Sequence, residues 1–339
     1  MFFKAEKIIF LLMAVTLGWT FCLALQSPMN IVWSGFLLAS ALPMLLVALA
    51  IGLRTVPSLQ VTSVALMMLG LYAIHSNVIA ILTYLNFPLS RPMIDHQLLA
   101  LDAALGYSWP DAVAWLARYP LLGLVMKYVY LSSLVQIVVL MAVLSLLARR
   151  DRLMELVLCG MVSVMTTVAF WSLWPSFGPS AYFDIPGEIA AQAHLVVRSD
   201  YGAHLLHLAE HGMVALESHM MLGAVAFPSF HTVMMLMVIM YARGTIMFWP
   251  ALALNLLMLP AIAIHGGHHL TDILGGGVVF LLSAWITARA VQADHPRLAA
   301  PLVPESLRAG RLYLQRAAHD CLVALWPRAS SRHRMAQGE

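Results

Sequence analysis

Charge is scarce in this sequence: Asp, Glu, Lys and Arg make up 10% of its 339 residues, against 61% hydrophobic residues. A water-soluble chain of this size carries about a quarter charged residues. One aqueous core cannot hide so much apolar surface, which excludes an ordinary soluble domain and leaves lipid as the solvent for most of the chain. The net charge of +3 marks no polyanionic partner, and no nucleic acid is expected to bind. Cysteine is nearly absent too: Cys22, Cys159 and Cys321 stand far apart, with no CxxC spacing. That excludes a disulfide framework and a metal knuckle, and it reads as two lipid-buried thiols and one tail thiol. Also missing are a P-loop, a strand-associated GxGxxG, a repeat of 20 to 50 residues and any low-complexity tract. Gly275, Gly276 and Gly277 fall inside an apolar helix instead, where small residues serve close helix packing.

What the chain does have is long apolar runs. A helix crosses a bilayer in about 20 residues, and suitable stretches lie at 7–26, 31–53, 61–85, 121–148, 153–174, 229–242, 246–264 and 269–291. The fold class is therefore all-α, a polytopic membrane bundle of about eight transmembrane helices. The run at 229–242 is short, so either Arg243 snorkels to the far interface or the helix starts earlier. The first run has a basic start but no small-x-small cleavage site after it, and it reads as an uncleaved helix.

Lysine and arginine set the orientation, since positive loops stay cytoplasmic. With the amino terminus inside, Lys4, Lys7, Arg54, Arg149, Arg150, Arg152, Arg243 and the tail from Arg289 onward are cytoplasmic. Only Arg91, Arg118 and Arg198 remain in outer segments. Two long segments, 86–120 and 175–228, are thereby placed outside. The expected division is two amino-terminal helices (1–60), a membrane core (61–291) and a cytoplasmic tail (292–339) that is amphipathic over 304–328 or disordered. A bacterial inner membrane with both termini cytoplasmic is the expected setting. Residues 95–119 mix Leu98, Leu99, Leu101, Leu105, Trp109, Trp115 and Leu116 with polar positions, which reads as amphipathic helix along the interface.

The chemistry lies between Trp174 and Gly277. In Pro228-Ser229-Phe230-His231, proline and serine are good helix-start residues, so His231 should fall in a first turn beside unpaired N–H groups that favour an anion. In the second segment, running from His265 to Gly275, His268 and Asp272 are four apart, on one face of a helix. A carboxylate so placed can hold the imidazole in one tautomer and stabilise its charged form. Both segments face outward under the charge-derived topology.

These two segments, PSFH and HHLTD, resemble the type-2 phosphatidic acid phosphatase superfamily, whose second signature is Pro-Ser-x-His and whose third ends His-x-x-x-Asp. The phenylalanine, the doubled histidine and the following glycines look like its inositolphosphotransferase branch, which includes the fungal inositol phosphorylceramide synthases. The resemblance implies a six-helix catalytic core with extra amino-terminal spans, no metal and no cofactor. It implies His268 as the nucleophile that takes a phosphoryl group, Asp272 as its orienting partner and His231 as the acid for the leaving group. The substrate implied is a lipid phosphate or phospholipid at the outer face, handled by a phosphohistidine route.

The chain departs from the family at its first signature. The stretch from Trp174 to Ser180 stands in that place without a basic residue, and Ala261 and Ile262 stand where phosphatases have Ser-Arg. The usual phosphate clamp is missing, which favours the phosphotransferase branch. Ser229, Gly267, Lys127 and Arg198 are the expected phosphate contacts, Lys127 because it lies about two turns into the fourth span on the outer side. The loop histidines His194, His204, His207, His211 and His219 have no zinc spacing. His75, mid-span, reads as a hydrogen-bonded packing residue. Two rival classes stand beside the enzyme: a lipid flippase or transporter, and a haem-binding membrane cytochrome.

Overall fold

The computed structural model describes residues 2–221 and 223–292. The expected tail, its amphipathic stretch and Cys321 lie outside these. In chain order the helices are α1 (Lys4–Gln26), α2 (Trp33–Leu53), α3 (Gln60–Tyr84), α4 (Asp95–Ala104), α5 (Trp109–Ala117), α6 (Pro120–Leu131) and α7 (Ser133–Leu146). They continue as α8 (Arg150–Leu173), α9 (Gly187–Gln192), α10 (Ser199–His211), α11 (Phe230–Tyr241), α12 (Phe248–His265) and α13 (Leu270–Gln292). Two residues, Asn30 and Ile31, pair in parallel with Ala215 and Leu216. The chain is an all-α polytopic bundle.

Among the described residues six helices are long and apolar enough to cross a membrane: α1, α2, α3, α8, α12 and α13. The bent pair α6 and α7 is together apolar enough for one further span or a re-entrant loop, and α11 is a shorter apolar helix of 12 residues. The expected single run at 121–148 is thus corrected to two helices meeting at 50°. No proline or glycine stands at the break. The Ser132 hydroxyl donates to the Val129 carbonyl at 2.6 Å, and the Gln136 amide donates back to that hydroxyl at 3.0 Å. Such back-bonding competes with the helical ladder and bends it.

Residues of α1 pack into one apolar core with α3, α7, α8, α11 and α13, Ile9, Met67, Leu140, Cys159, Met237 and Phe280 among its members. Cys22 is exposed on the bundle and Cys159 is buried, both as free thiols. His75 is buried and lies 3.2 Å from the Thr16 hydroxyl, as its packing role requires. At one end of the bundle Arg54 pairs with Glu6, and Arg149 and Arg152 reach the carbonyls of residues 243 and 244. Helices α11 and α13 begin at the opposite end, where α3 and α8 finish. Ser229, the residue before α11, has no exposed surface.

The two segments 86–120 and 175–228 meet at this end. The Leu89 amide donates to the Ala209 carbonyl at 2.8 Å, and the Ile94 amide to the Pro175 carbonyl at 3.0 Å. The stretch 95–119, expected as amphipathic helix, is helical in two pieces. The inward face of α4 carries Asp95, Leu98 and Asp102, while Leu101 and Leu105 face out. Helix α5 buries Trp109, Val113 and Leu116, and the Trp109 indole donates to the Ile264 carbonyl at 2.9 Å.

Candidate active site

Helix α11 starts where the sequence says it should. Ser229 is its N-cap with extended backbone, its hydroxyl accepting from the Thr232 amide at 3.4 Å. A cap of this kind stabilises a helix by about 1 kcal/mol. His231 follows in the first turn, its ring stacked on Tyr130 with centroids 4.4 Å apart. The His231 and His268 rings lie 6.2 Å apart, centroid to centroid. Two side chains from distant segments thus face one small volume.

The second segment is built differently from the expectation. Helix α12 ends at His265, and Gly266 and Gly267 turn the chain. Gly267 has φ of +57°, and a side chain at Gly266 would meet the Ile262 carbonyl at 2.5 Å. Only glycine passes there cheaply. Helix α13 begins at Leu270, after His268, so His268 and Asp272 do not share a helix face. Instead Asp272, in the first turn, folds back: its Oδ2 accepts the His269 amide and lies 2.9 Å from His268 Nδ1. This is the acidic half of a capping box, with a histidine ring captured as well. A carboxylate only accepts, so the proton sits on Nδ1 and the neutral ring presents an Nε2 lone pair. That Nε2 lies 3.4 Å from the Ser229 hydroxyl.

The two segments are locked by backbone. The Ser229 amide donates to the Asp272 carbonyl at 2.9 Å. Gly275 and Gly276 permit this approach, since added side-chain carbons would lie 2.7 Å from the Phe227 ring and 2.3 Å from the Ser229 carbonyl oxygen. Gly277 meets nothing within 4 Å, so close packing is the work of the first two glycines alone.

The turn standing in the first-signature place also reaches the site. Gly178, at φ +82°, touches the Gly267 carbonyl so closely that a side-chain carbon would sit 2.1 Å from it. Sequence reasoning missed what anchors this turn. Buried Asp95 accepts from the Ser176 hydroxyl at 2.9 Å and from the amides of Phe177 and Gly178 at 3.0 and 2.8 Å. The Tyr182 hydroxyl donates to it at 3.3 Å. Burial and the Asp95 charge together push the Tyr182 phenol up, so it stays a donor. One helical face along, Asp102 accepts from the Leu270 amide at 3.0 Å and lies 2.7 Å from His269 Nδ1. A usable signal did exist: two acids at i and i+7 on one face of a short helix, in a chain with only 16 acids.

Of the expected cations, Lys127 is half-buried on α6, three residues before Tyr130 and so on the same face. Gly123, one turn earlier on that face, touches the Ala193 backbone. Arg198 is more than half exposed and stands 3.6 Å from Asp200. Its neighbour Val197 donates to the His265 carbonyl at 3.0 Å. Among the described residues, the histidines of 175–228 included, no group of three His, Cys, Asp or Glu side chains is arranged to hold a metal ion.

A family model described as the PAP2 superfamily matches residues 96–286. The matched stretch contains Asp102, Lys127, Arg198, Ser229, His231, His268 and Asp272, with Asp95 one residue outside it. No curated protein and no solved structure matches the chain.

Proposed function

Since this chain belongs to the PAP2 superfamily, we propose that it is a membrane-embedded lipid phosphatase or head-group phosphotransferase working through a phosphohistidine at His268. The observation that carries this reading is the 2.9 Å contact of Asp272 Oδ2 with His268 Nδ1, which leaves Nε2 free beside the start of α11.

In the proposed reaction a lipid phosphate or phospholipid enters with its phosphorus against His268 Nε2. The Nε2 lone pair forms the N–P bond while the bond to the leaving lipid oxygen breaks. His231 gives that oxygen its proton and later takes one from the acceptor, water or an alcohol, which attacks phosphorus and frees His268. Asp272 balances the imidazolium charge that develops meanwhile. The phosphoryl oxygens need positive charge and N–H donors. Ser229 and the first amides of α11 stand on one side, with the Gly267 turn beside them, and Lys127 and Arg198 are the cations proposed to complete the set. The absence of a basic residue between Trp174 and Ser180 supports the inositolphosphotransferase branch, with an alcohol as acceptor.

Two experiments test the reading. Purified protein given a panel of labelled lipids is scored for free phosphate against a new phospholipid, with acid-labile phosphohistidine measured alongside. Neither product from any lipid phosphate or phospholipid refutes it. The outward orientation, supported by the spread of Lys and Arg, predicts that Asp184→Cys reacts with an impermeant thiol reagent on intact cells and Asp151→Cys does not. The reverse pattern would put the site on the inner side.

A further inference from the structure

The reaction above uses His268, Asp272 and His231, and it leaves unexplained three ionisable groups buried next to them. Asp95 and His269 are fully buried and Asp102 is 4% exposed. His269 stands between the two carboxylates, Nδ1 at 2.7 Å from Asp102 Oδ2 and Nε2 at 3.5 Å from Asp95 Oδ1, the latter an ion-pair distance. Nε2 has no hydrogen-bond partner at that distance, and carboxylates only accept, so a charged ring suits this place between two of them. An isolated carboxylate in such a place is costly, whereas one cation between two of them offsets much of the cost.

We propose that Asp95, His269 and Asp102 are positioning residues: a buried ionic strap by which α4 holds the start of α13 and thereby fixes the ring of His268. The inference rests on the proposed role of His268.

The connection can be followed bond by bond. Asp272 Oδ2 has two donors, His268 Nδ1 and the His269 amide. The His269 amide is fixed only if His269 itself is, and its ring is held by α4. The next amide, Leu270, is held by Asp102 at 3.0 Å. Two successive N–H groups at the start of α13 are therefore capped by carboxylates from different helices, at the helix end that favours negative charge. Through Asp95 the same α4 holds the turn at 176–178, and that turn touches the Gly267 carbonyl just ahead of His268. Loss of the His269 proton would leave two buried carboxylates sharing a neutral ring, and α4 would loosen from both sides of His268.

The groups facing His269 agree. Burial lowers its basicity, but Asp95, Asp272 and Asp102 outweigh that and raise its pKa above the ordinary 6.5. Tyr107 lies near Asp102 and Asp272, and burial with those charges raises its phenol. Tyr182 stays protonated on Asp95, and His268 faces across Asp272. With the folded pKa raised, the strap is intact below the ordinary imidazole range and is lost as pH rises through the folded value.

The test uses full-length protein in detergent with ¹⁵N-histidine, the two resonances assigned through His268→Gln and His269→Gln. Wild type should show His269 doubly protonated at pH 6.5 and His268 as one tautomer with its proton on Nδ1. Asp102→Asn should mix the His268 tautomers and lower kcat by about 10- to 100-fold, the range for orienting partners, with KM little changed. Asp102→Glu should recover part of the loss. His269→Gln keeps a donor for Asp102 but cannot titrate, so the fall of kcat with rising pH that the strap predicts for wild type should vanish. If Asp102→Asn does not fold, His269→Gln decides the matter. A neutral His269 at pH 6.5, or an unchanged His268 tautomer and pH profile in the folded variants, overturns the strap. If wild type turns over no lipid phosphate, the reaction fails while the nitrogen spectra still decide the strap.

Discussion

Asp272 Oδ2 lies 2.9 Å from His268 Nδ1 while also accepting the His269 amide. The carboxylate is thus fixed by backbone before it meets the ring, so the direction of Nε2 is set by the first turn of α13 rather than by side-chain choice.

Asp272→Asn tests that fixing. An amide nitrogen facing Nδ1 would favour the proton on Nε2, removing the lone pair that attacks phosphorus. Turnover is expected to fall by about 10⁴-fold, as for the analogous orienting aspartate of a nucleophilic triad, equally on lipid and aryl phosphates. Rates measured on both substrates check it; a loss confined to lipid substrates contradicts the role.

His231→Ala separates acid catalysis from attack. General-acid help amounts to about 10²- to 10⁴-fold and matters for a poor leaving group. A lipid alkoxide needs the proton; a nitrophenolate does not. The variant should lose most activity on lipid phosphate yet still form phosphohistidine from an aryl phosphate, and the intermediate should accumulate. Equal loss on both, with nothing trapped, refutes the division of labour.

For the phosphate clamp, Lys127 is better placed than Arg198, being half-buried on the face of α6 that carries Tyr130. Neutralising the true contact should cost about 2.7 to 4 kcal/mol of transition-state stabilisation, as does loss of one oxyanion-hole donor. Lys127→Met and Arg198→Gln compared for kcat/KM distinguish them, and unchanged turnover in both assigns the anion site to the start of α11.

Neighbouring glycines give a structural test. Gly276→Ala drives a carbon to 2.3 Å from the Ser229 carbonyl oxygen, a backbone atom tied into the site. It should lower stability by about 1 to 3 kcal/mol, the cost of overpacking, and displace Ser229. Gly277→Ala meets open space and should match wild type. Melting temperatures in detergent compare the two; similar losses would mean that the close approach is not what the glycines serve.

Much of this protein was legible in the chain because the deciding signals were local. Scarce charge and long apolar runs required a membrane bundle. Pro228-Ser229 announced the start of α11, and the spacing of His268 and Asp272 announced a histidine–carboxylate pair, though through a cap rather than a helix face. Other features depended on residues far apart in sequence. Asp95 and Asp102 fall among the polar positions of the stretch 95–119, and nothing near them in the chain offers a partner. Their partners, Ser176, Gly178, His269 and Leu270, lie 81 to 168 residues onward. Sequence determined the solvent, most helices and the histidine–carboxylate pair, since hydropathy and capping act within a few residues. Tertiary structure decided which acids are buried and what holds His268 in place, since a buried charge is tolerable only where the fold brings its counter-charge.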